Sequence, residues 1–313
     1  MAQGSVGRGW SLVWRHSRIL GWVFAINLLL GLASTTVPRV EFQKLLDHSL
    51  ISDRLVNGFD AGVLIEAIMK PDINIRALAQ GSVPFAYLFF FFMLFITGGI
   101  LAAYREDRRL TTGEFFEASG GYFWRMVRIF LFSLVPLGVI GIVFAIVLGI
   151  SSQIDNEQTA FYVRLSGIIL CVILVLLVRL WFDVAQVRAV AQNEHGMFHN
   201  VMRALVISLK ALGSLLWIYL CISIVGWIVL ALGLWLWSKV PGNHFGISWL
   251  VLELVMLSQL FTRLWQRAAS VSWYGLYAEE HPAAAVEFTT PQPIEIPEPP
   301  AMPPIVPPPA ESS

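Results

Sequence analysis

The apolar positions of this chain come in long runs rather than in stripes. Six stretches stay apolar on every face for about 20 residues or more, the length a helix needs to cross the hydrocarbon of a bilayer. They are residues 19–37, 83–104, 127–150, 161–182, 209–237 and 247–265. A helix without a polar face has nowhere to sit in water, so each run predicts a segment covered by lipid or protein. "FAYLFFFFMLFITGGILAAY" (85–104) is the clearest of the six. The first is the weakest, because Asn27 and Ser34-Thr35-Thr36 shorten its apolar part to the length of a signal-peptide core. A cleaved signal is the alternative for that run. Against it stand a long basic flank and the pattern that a retained helix completes.

That pattern is three helical hairpins. Polar or turn-forming residues separate the later pairs at 151–158 and at 238–246, where Pro241-Gly242 falls. Each hairpin is preceded by an amphipathic stretch: "GWSLVWRHSRILGW" (9–22), "FFEASGGYFWRMVRIF" (115–130) and "MFHNVMRALVISLKAL" (197–212). In the last, Phe198, Val201, Met202, Leu205, Val206 and Leu209 recur at three- and four-residue steps. His199, Asn200, Arg203 and Lys210 fall largely on the other face. Such a helix lies in the membrane interface before the chain enters the bilayer. Thr111-Thr112-Gly113-Glu114 predicts a capping box at the start of the second one, and Gly120-Gly121 predicts its end.

Composition agrees. Of 313 residues, 57% are hydrophobic and only 13% charged, about half the share that covers a soluble domain. Net charge is zero, which gives no electrostatic footprint for nucleic acid. Arginine and lysine gather in the short segments before the first, third and fifth runs and after the second, fourth and sixth, which predicts both termini on the cytoplasmic side. The expected organisation is an all-α membrane bundle. Residues 1–18 form a cytoplasmic interfacial helix, 19–280 the six-span domain, and 281–313 a disordered Pro-rich tail. The outer loop 38–81 is long enough for two helices, one through Phe42 and Leu50 and one over 61–69.

Two runs end alike: "LVRLWFDVAQVRAV" (177–190) and "FTRLWQRAASVSWY" (261–274). Arg179 and Arg263 stand where their helices leave the hydrocarbon, with Trp181 and Trp265 beside them as headgroup-level anchors. Asp183 follows Arg179 by four residues, on the same helix face. The likeness reads as a degenerate internal repeat; the functional alternative is that Arg179 and Arg263 converge on a lipid phosphate or an anionic cargo.

A short cytoplasmic helix, a hairpin, and a long helix ending in "DVAQVR" (183–188) together resemble uncharacterised bacterial polytopic proteins. They are also similar to the membrane region attached to some glycerophosphodiester phosphodiesterases. The resemblance spans about residues 6–280 and implies an all-helical membrane domain. It does not extend to the phosphodiesterase activity, since the chain has no length left for that soluble domain.

Candidate chemistry is sparse. Glu253 stands inside the last run, where an ionised carboxylate costs a few kcal/mol unless it faces protein or water. It is a candidate proton or cation site. Asn27 and Gln259 read as hydrogen-bonding glue between helices. His195 and His199 share a helix face but lack further ligands, and Cys171 and Cys221 sit in apolar runs. No catalytic residue, cofactor or metal is expected. Gly98-Gly99, and Gly138 with Gly141, read as close-packing points. In the tail, Pro300–Pro303 and Pro304–Pro307 have the spacing that docks in aromatic grooves. The expected partners are membrane lipids and a protein held through that tail. The sequence therefore predicts a non-enzymatic accessory or scaffold protein of a bacterial inner membrane. The alternative is a small transporter or lipid-handling protein using Glu253 and the Arg179/Arg263 pair.

Overall fold

A computed structural model describes residues 2–35, 75–193, 196–241 and 244–281. Among them are eight helices and no strand: α1 (Ala2–Arg15), α2 (Ser17–Ser34), α3 (Ile75–Glu106), α4 (Thr112–Ser151), α5 (Glu157–Ala191), α6 (Met197–Lys210), α7 (Leu212–Lys239) and α8 (Phe245–Glu280). All but α1 and α6 are long and apolar enough to cross a membrane. The chain is an all-α, multi-pass membrane protein. Residues 75–81, expected in the outer loop, belong to α3, whereas the rest of that loop from 38 to 74, His195 and the tail from 282 onward lie outside the described residues.

Local chemistry sets the starts of two of the long helices. Thr111 caps α4 with its side chain on the Glu114 backbone N–H, while the Glu114 carboxylate accepts from the Thr111 N–H, so the predicted capping box is complete. That acid also accepts from Arg108, and this hydrogen bond, with Glu106 close by, raises the guanidinium's affinity for its proton above the ordinary value. Asn156 caps α5 by accepting from the backbone of Gln158 and Thr159. The predicted break at Gly120-Gly121 is absent. α4 is a single helix of 40 residues that runs through both glycines and Pro136, about 60 Å at the usual rise. The physical reason is relative cost. Each mid-helix glycine costs roughly 1 kcal/mol against alanine, whereas a break beside lipid strands backbone groups at several kcal/mol apiece. The other two short helices do separate from their spans, at His16 and at Ala211.

Burial is concentrated at one end, the end that carries α1, α6 and the C-termini of α3, α5 and α8. There Ile100, Leu101, Leu180, Val190, Leu264 and Trp273 are almost inaccessible. Toward the opposite end the spans expose large apolar side chains such as Val135, Ile142, Ile169 and Trp227, the surface that lipid tails cover. Contact persists there within hairpins: Gly167 of α5 leaves room for Val147 of α4, and Gly233 of α7 for Val255 of α8. Gly138 and Gly141 do not act this way. A Cβ at either would meet nothing within 4 Å, so they face open surface rather than a packed helix.

The repeat read from two helices extends to three. The central helices α3, α5 and α8 all touch one another, and each receives a short helical segment across its end. On α5, the Trp181 indole N–H donates to the Val201 carbonyl of α6 at 2.8 Å, and the Ala185 carbonyl accepts from Asn200. On α8, Trp265 donates to the Val6 carbonyl of α1, also at 2.8 Å, and Ala269 lies against Gly9. On α3, Phe95 stacks on Phe116 at the start of α4, and Gly99 fits against Phe115 and Ser119. Spacing matches throughout: an aromatic residue, then a small one four positions on, receives a helix, with Ser119 at Gly99, Asn200 at Ala185 and Gly9 at Ala269. The third unit joins the last helix to the first, so the two ends of the described chain pack together. Trp181 and Trp265 thus clamp helices together, a role that their place in sequence does not show.

Candidate functional site

Between the central helices lies a polar network that the apolar runs conceal. It starts from the i, i+4 pair that the sequence predicts: Arg179 Nε stands 3.9 Å from Asp183 Oδ2 on α5. Arg179 is half exposed and also donates to Gln266 Oε1 of α8 at 2.8 Å. Asp183 is better shielded, and accepts a 2.6 Å hydrogen bond from the Tyr219 hydroxyl of α7. Tyr219 in turn is 3.0 Å from Ser270 Oγ, while Gln266 donates to Ser223. One carboxylate thereby ties three helices together.

Arg267 completes the charge pattern. It occupies on α8 the place that Asp183 occupies on α5 in the repeat, and it lies within electrostatic range of Asp183, Tyr104 and Arg179. Its Nη1 is buried without a hydrogen-bond partner among the described residues. Two guanidinium groups thus share one carboxylate in a region of low polarity, where an unbalanced charge attracts anions more strongly than in water. The repeat contained the signal for this residue, since aligning the two quoted stretches sets Asp183 against Arg267. Tyr219 and Gln266 carried no such mark, being single polar residues in apolar surroundings.

The other candidates scatter. Arg263 is exposed and shares no hydrogen bond with Arg179 among the described residues, although Gln266, which Arg179 meets, stands three residues further along α8. Glu253 is half-buried on α8; its Oε2 is shielded and has no partner among the described residues. Gln259 donates to the Gly226 carbonyl of α7, and Asn27 points its amide at the Met256 sulfur of α8, so both bridge helices. His199 is exposed, Cys171 is buried and Cys221 half-buried, and the described residues hold no cluster of three or more metal-ligating side chains. Pro300, Pro303, Pro304 and Pro307 lie outside the described residues.

The class that fold and site define is a multi-pass helical membrane protein with an internal, net-positive polar network near one end. No protein-family model, curated protein or solved structure matches the chain.

Proposed function

We propose that this protein is a non-enzymatic accessory or scaffold protein of a bacterial inner membrane, with both termini in the cytoplasm. The observation that carries this reading is where the structure spends its packing. Three short helical segments are clamped onto three central helices at the basic end, which makes a rigid platform there, while the opposite halves of the spans offer a plain apolar surface to lipid. A platform of this kind suits presentation of a fixed face to partners, because preorganised surfaces lose little entropy on binding. Orientation rests on the arginines and lysines grouped at that end. Kinship with the membrane region attached to some glycerophosphodiester phosphodiesterases belongs to this proposal as architecture only.

α6 supports the same placement. Its Val201 and Ala204 are buried against protein, whereas Phe198 and Leu209 are more than 60% exposed. A short helix with one apolar stripe on protein, another on the outside and a basic flank fits the membrane–water boundary. The tail, in this reading, is the handle that a partner grips.

A second reading, lipid handling, draws on Glu253, whose shielded and unpartnered oxygen is costly unless an ion, proton or headgroup meets it. One experiment separates the two. The protein is extracted in native lipid discs and weighed by mass spectrometry, as the full chain and without residues 285–313. Scaffolding predicts a stoichiometric protein partner that the truncated chain loses. Tightly bound lipid without any protein partner, released by Glu253→Gln or Arg179→Ala, is the outcome of the second reading and sinks the first.

A further inference from the structure

On the platform side of the polar network lies a cavity of about 310 Å³, at the lower end of the range for small-ligand sites. Its walls come from matching positions of the repeat: Leu101, Val187 and Val271 form one layer, and Tyr104, Val190 and Tyr274 the next. The cavity therefore sits where α3, α5 and α8 meet. Exposed Arg8 and Glu279 stand at its rim, which makes it accessible from the basic end.

Two residues of the cavity wall carry hydroxyl groups that lack what burial demands. Tyr104 is 2% exposed and Ser272 is 8% exposed, and both line the cavity. Neither the Tyr104 Oη nor the Ser272 Oγ has a hydrogen-bond partner among the described residues. Leaving a buried hydroxyl unpaired is costly, so such groups in a folded protein point to something that pairs them. A third unpartnered donor, Arg267 Nη1, lies within electrostatic range of Tyr104.

Charge selects the ligand. Of the two acids at the cavity, Asp107 is already paired with Arg15 at 2.6 Å, which leaves Glu279 at the rim. Against it stand Arg8 and Arg105 in the lining and, behind the wall, the half-buried Arg267, whose nearby counter-ion Asp183 is shared with Arg179. Arg105 fixes its own position by donating to the Val190 carbonyl. A net-positive pocket with separate donors on α3 and α8 matches an anion with several acceptor oxygens. We infer that the cavity binds a phosphate group, hydrogen-bonded by Tyr104 and Ser272 and held by the charge of Arg267, with apolar walls left for whatever the phosphate is attached to.

The test uses the full chain in discs of phosphatidylcholine, with thermal unfolding followed by tryptophan fluorescence. Inorganic phosphate is titrated against chloride at matched ionic strength, and a second set of discs contains phosphatidic acid. A ligand that binds only the folded state raises the melting temperature in proportion to its occupancy. The expected result is a saturable rise with phosphate over chloride, or with phosphatidic acid discs over plain ones. The first arm indicates a soluble phosphate compound and the second a lipid headgroup. Tyr104→Phe and Ser272→Ala each remove one oxygen and little else, and each is expected to shift half-saturation at least tenfold. The inference is overturned if neither source stabilises the wild-type chain. It is overturned equally if the folded double variant responds as wild type does.

Discussion

Asp183 occupies a position where one charge balances two. It accepts from Tyr219, faces Arg179 along its own helix, and lies within reach of the Arg267 charge on α8. Neutralising it leaves two guanidinium groups without a counter-ion in a poorly solvated region. Removing one partner of a buried ion pair costs about 3–5 kcal/mol, and the partial exposure of Asp183 and Arg179 places this case at the low end or just below it. Asp183→Asn should therefore destabilise the protein by about 2–3 kcal/mol, against about 1 kcal/mol for losing the single hydrogen bond in Tyr219→Phe. Reversible unfolding in mixed detergent micelles measures both. Equal losses would show that the carboxylate acts as a hydrogen-bond acceptor only. The double variant Asp183→Asn with Arg267→Gln should recover part of the loss, because it removes one stranded charge together with its partner.

Among elements, α4 separates two ways of reading the same residues. Read from sequence, Gly120-Gly121 looks like the end of a short interfacial helix, since glycine is the usual residue past a helix C-terminus. In the structure the helix passes straight through, and a Cβ at either position would meet nothing within 4 Å. Gly120→Ala and Gly121→Ala should then each stabilise the protein by about 0.5–1 kcal/mol, the ordinary gain for alanine inside a helix. If either glycine ended a helix in the left-handed conformation, alanine would instead destabilise, and thermal unfolding reads the sign directly. The error has a physical origin. Helix-end signals were learned in water, where freed backbone groups find solvent, and that outlet shrinks near a bilayer. What remained legible were features with strong local causes: six apolar runs, the Thr111–Glu114 capping box, and the Arg179–Asp183 spacing. Contacts between distant helices left little trace. Tyr104 and Ser272 meet at one cavity because α3 and α8 pack together, and nothing adjacent to either residue foretells it. The clamp of α1 on α8, which passes through the buried small residues Ser5 and Gly9, lay behind a pattern that read only as an interfacial helix.

At the scale of the molecule, three helical hairpins become one body because each short helical segment is held by the central helix before it, and the first by the last. This closure places the N-terminal helix against the C-terminal end of α8, and brings Arg8 and Glu279 to the rim of one cavity. It accounts for the concentration of burial at the basic end, for the indole hydrogen bonds to Val6 and Val201, and for the room left by Gly9. The platform and the phosphate site both depend on it. A chain whose first helix merely floated in the membrane interface would have neither.

The most direct test of that closure is a cross-link between Trp10→Cys and Phe261→Cys, built after Cys171 and Cys221 are replaced by alanine. The two native rings lie 4.7 Å apart, centroid to centroid, whereas a Cβ on Gly9 would come within 2.8 Å of the Ala269 backbone, which makes that tighter contact unsuitable for a cysteine. A short bifunctional maleimide added to membranes should join the two cysteines within a single chain. The product should run faster on a denaturing gel, and pairing Trp10→Cys with Ile169→Cys should give no such band. Absence of the link at 10 and 261, or its formation only between separate chains, would contradict the closed arrangement of α1 on α8.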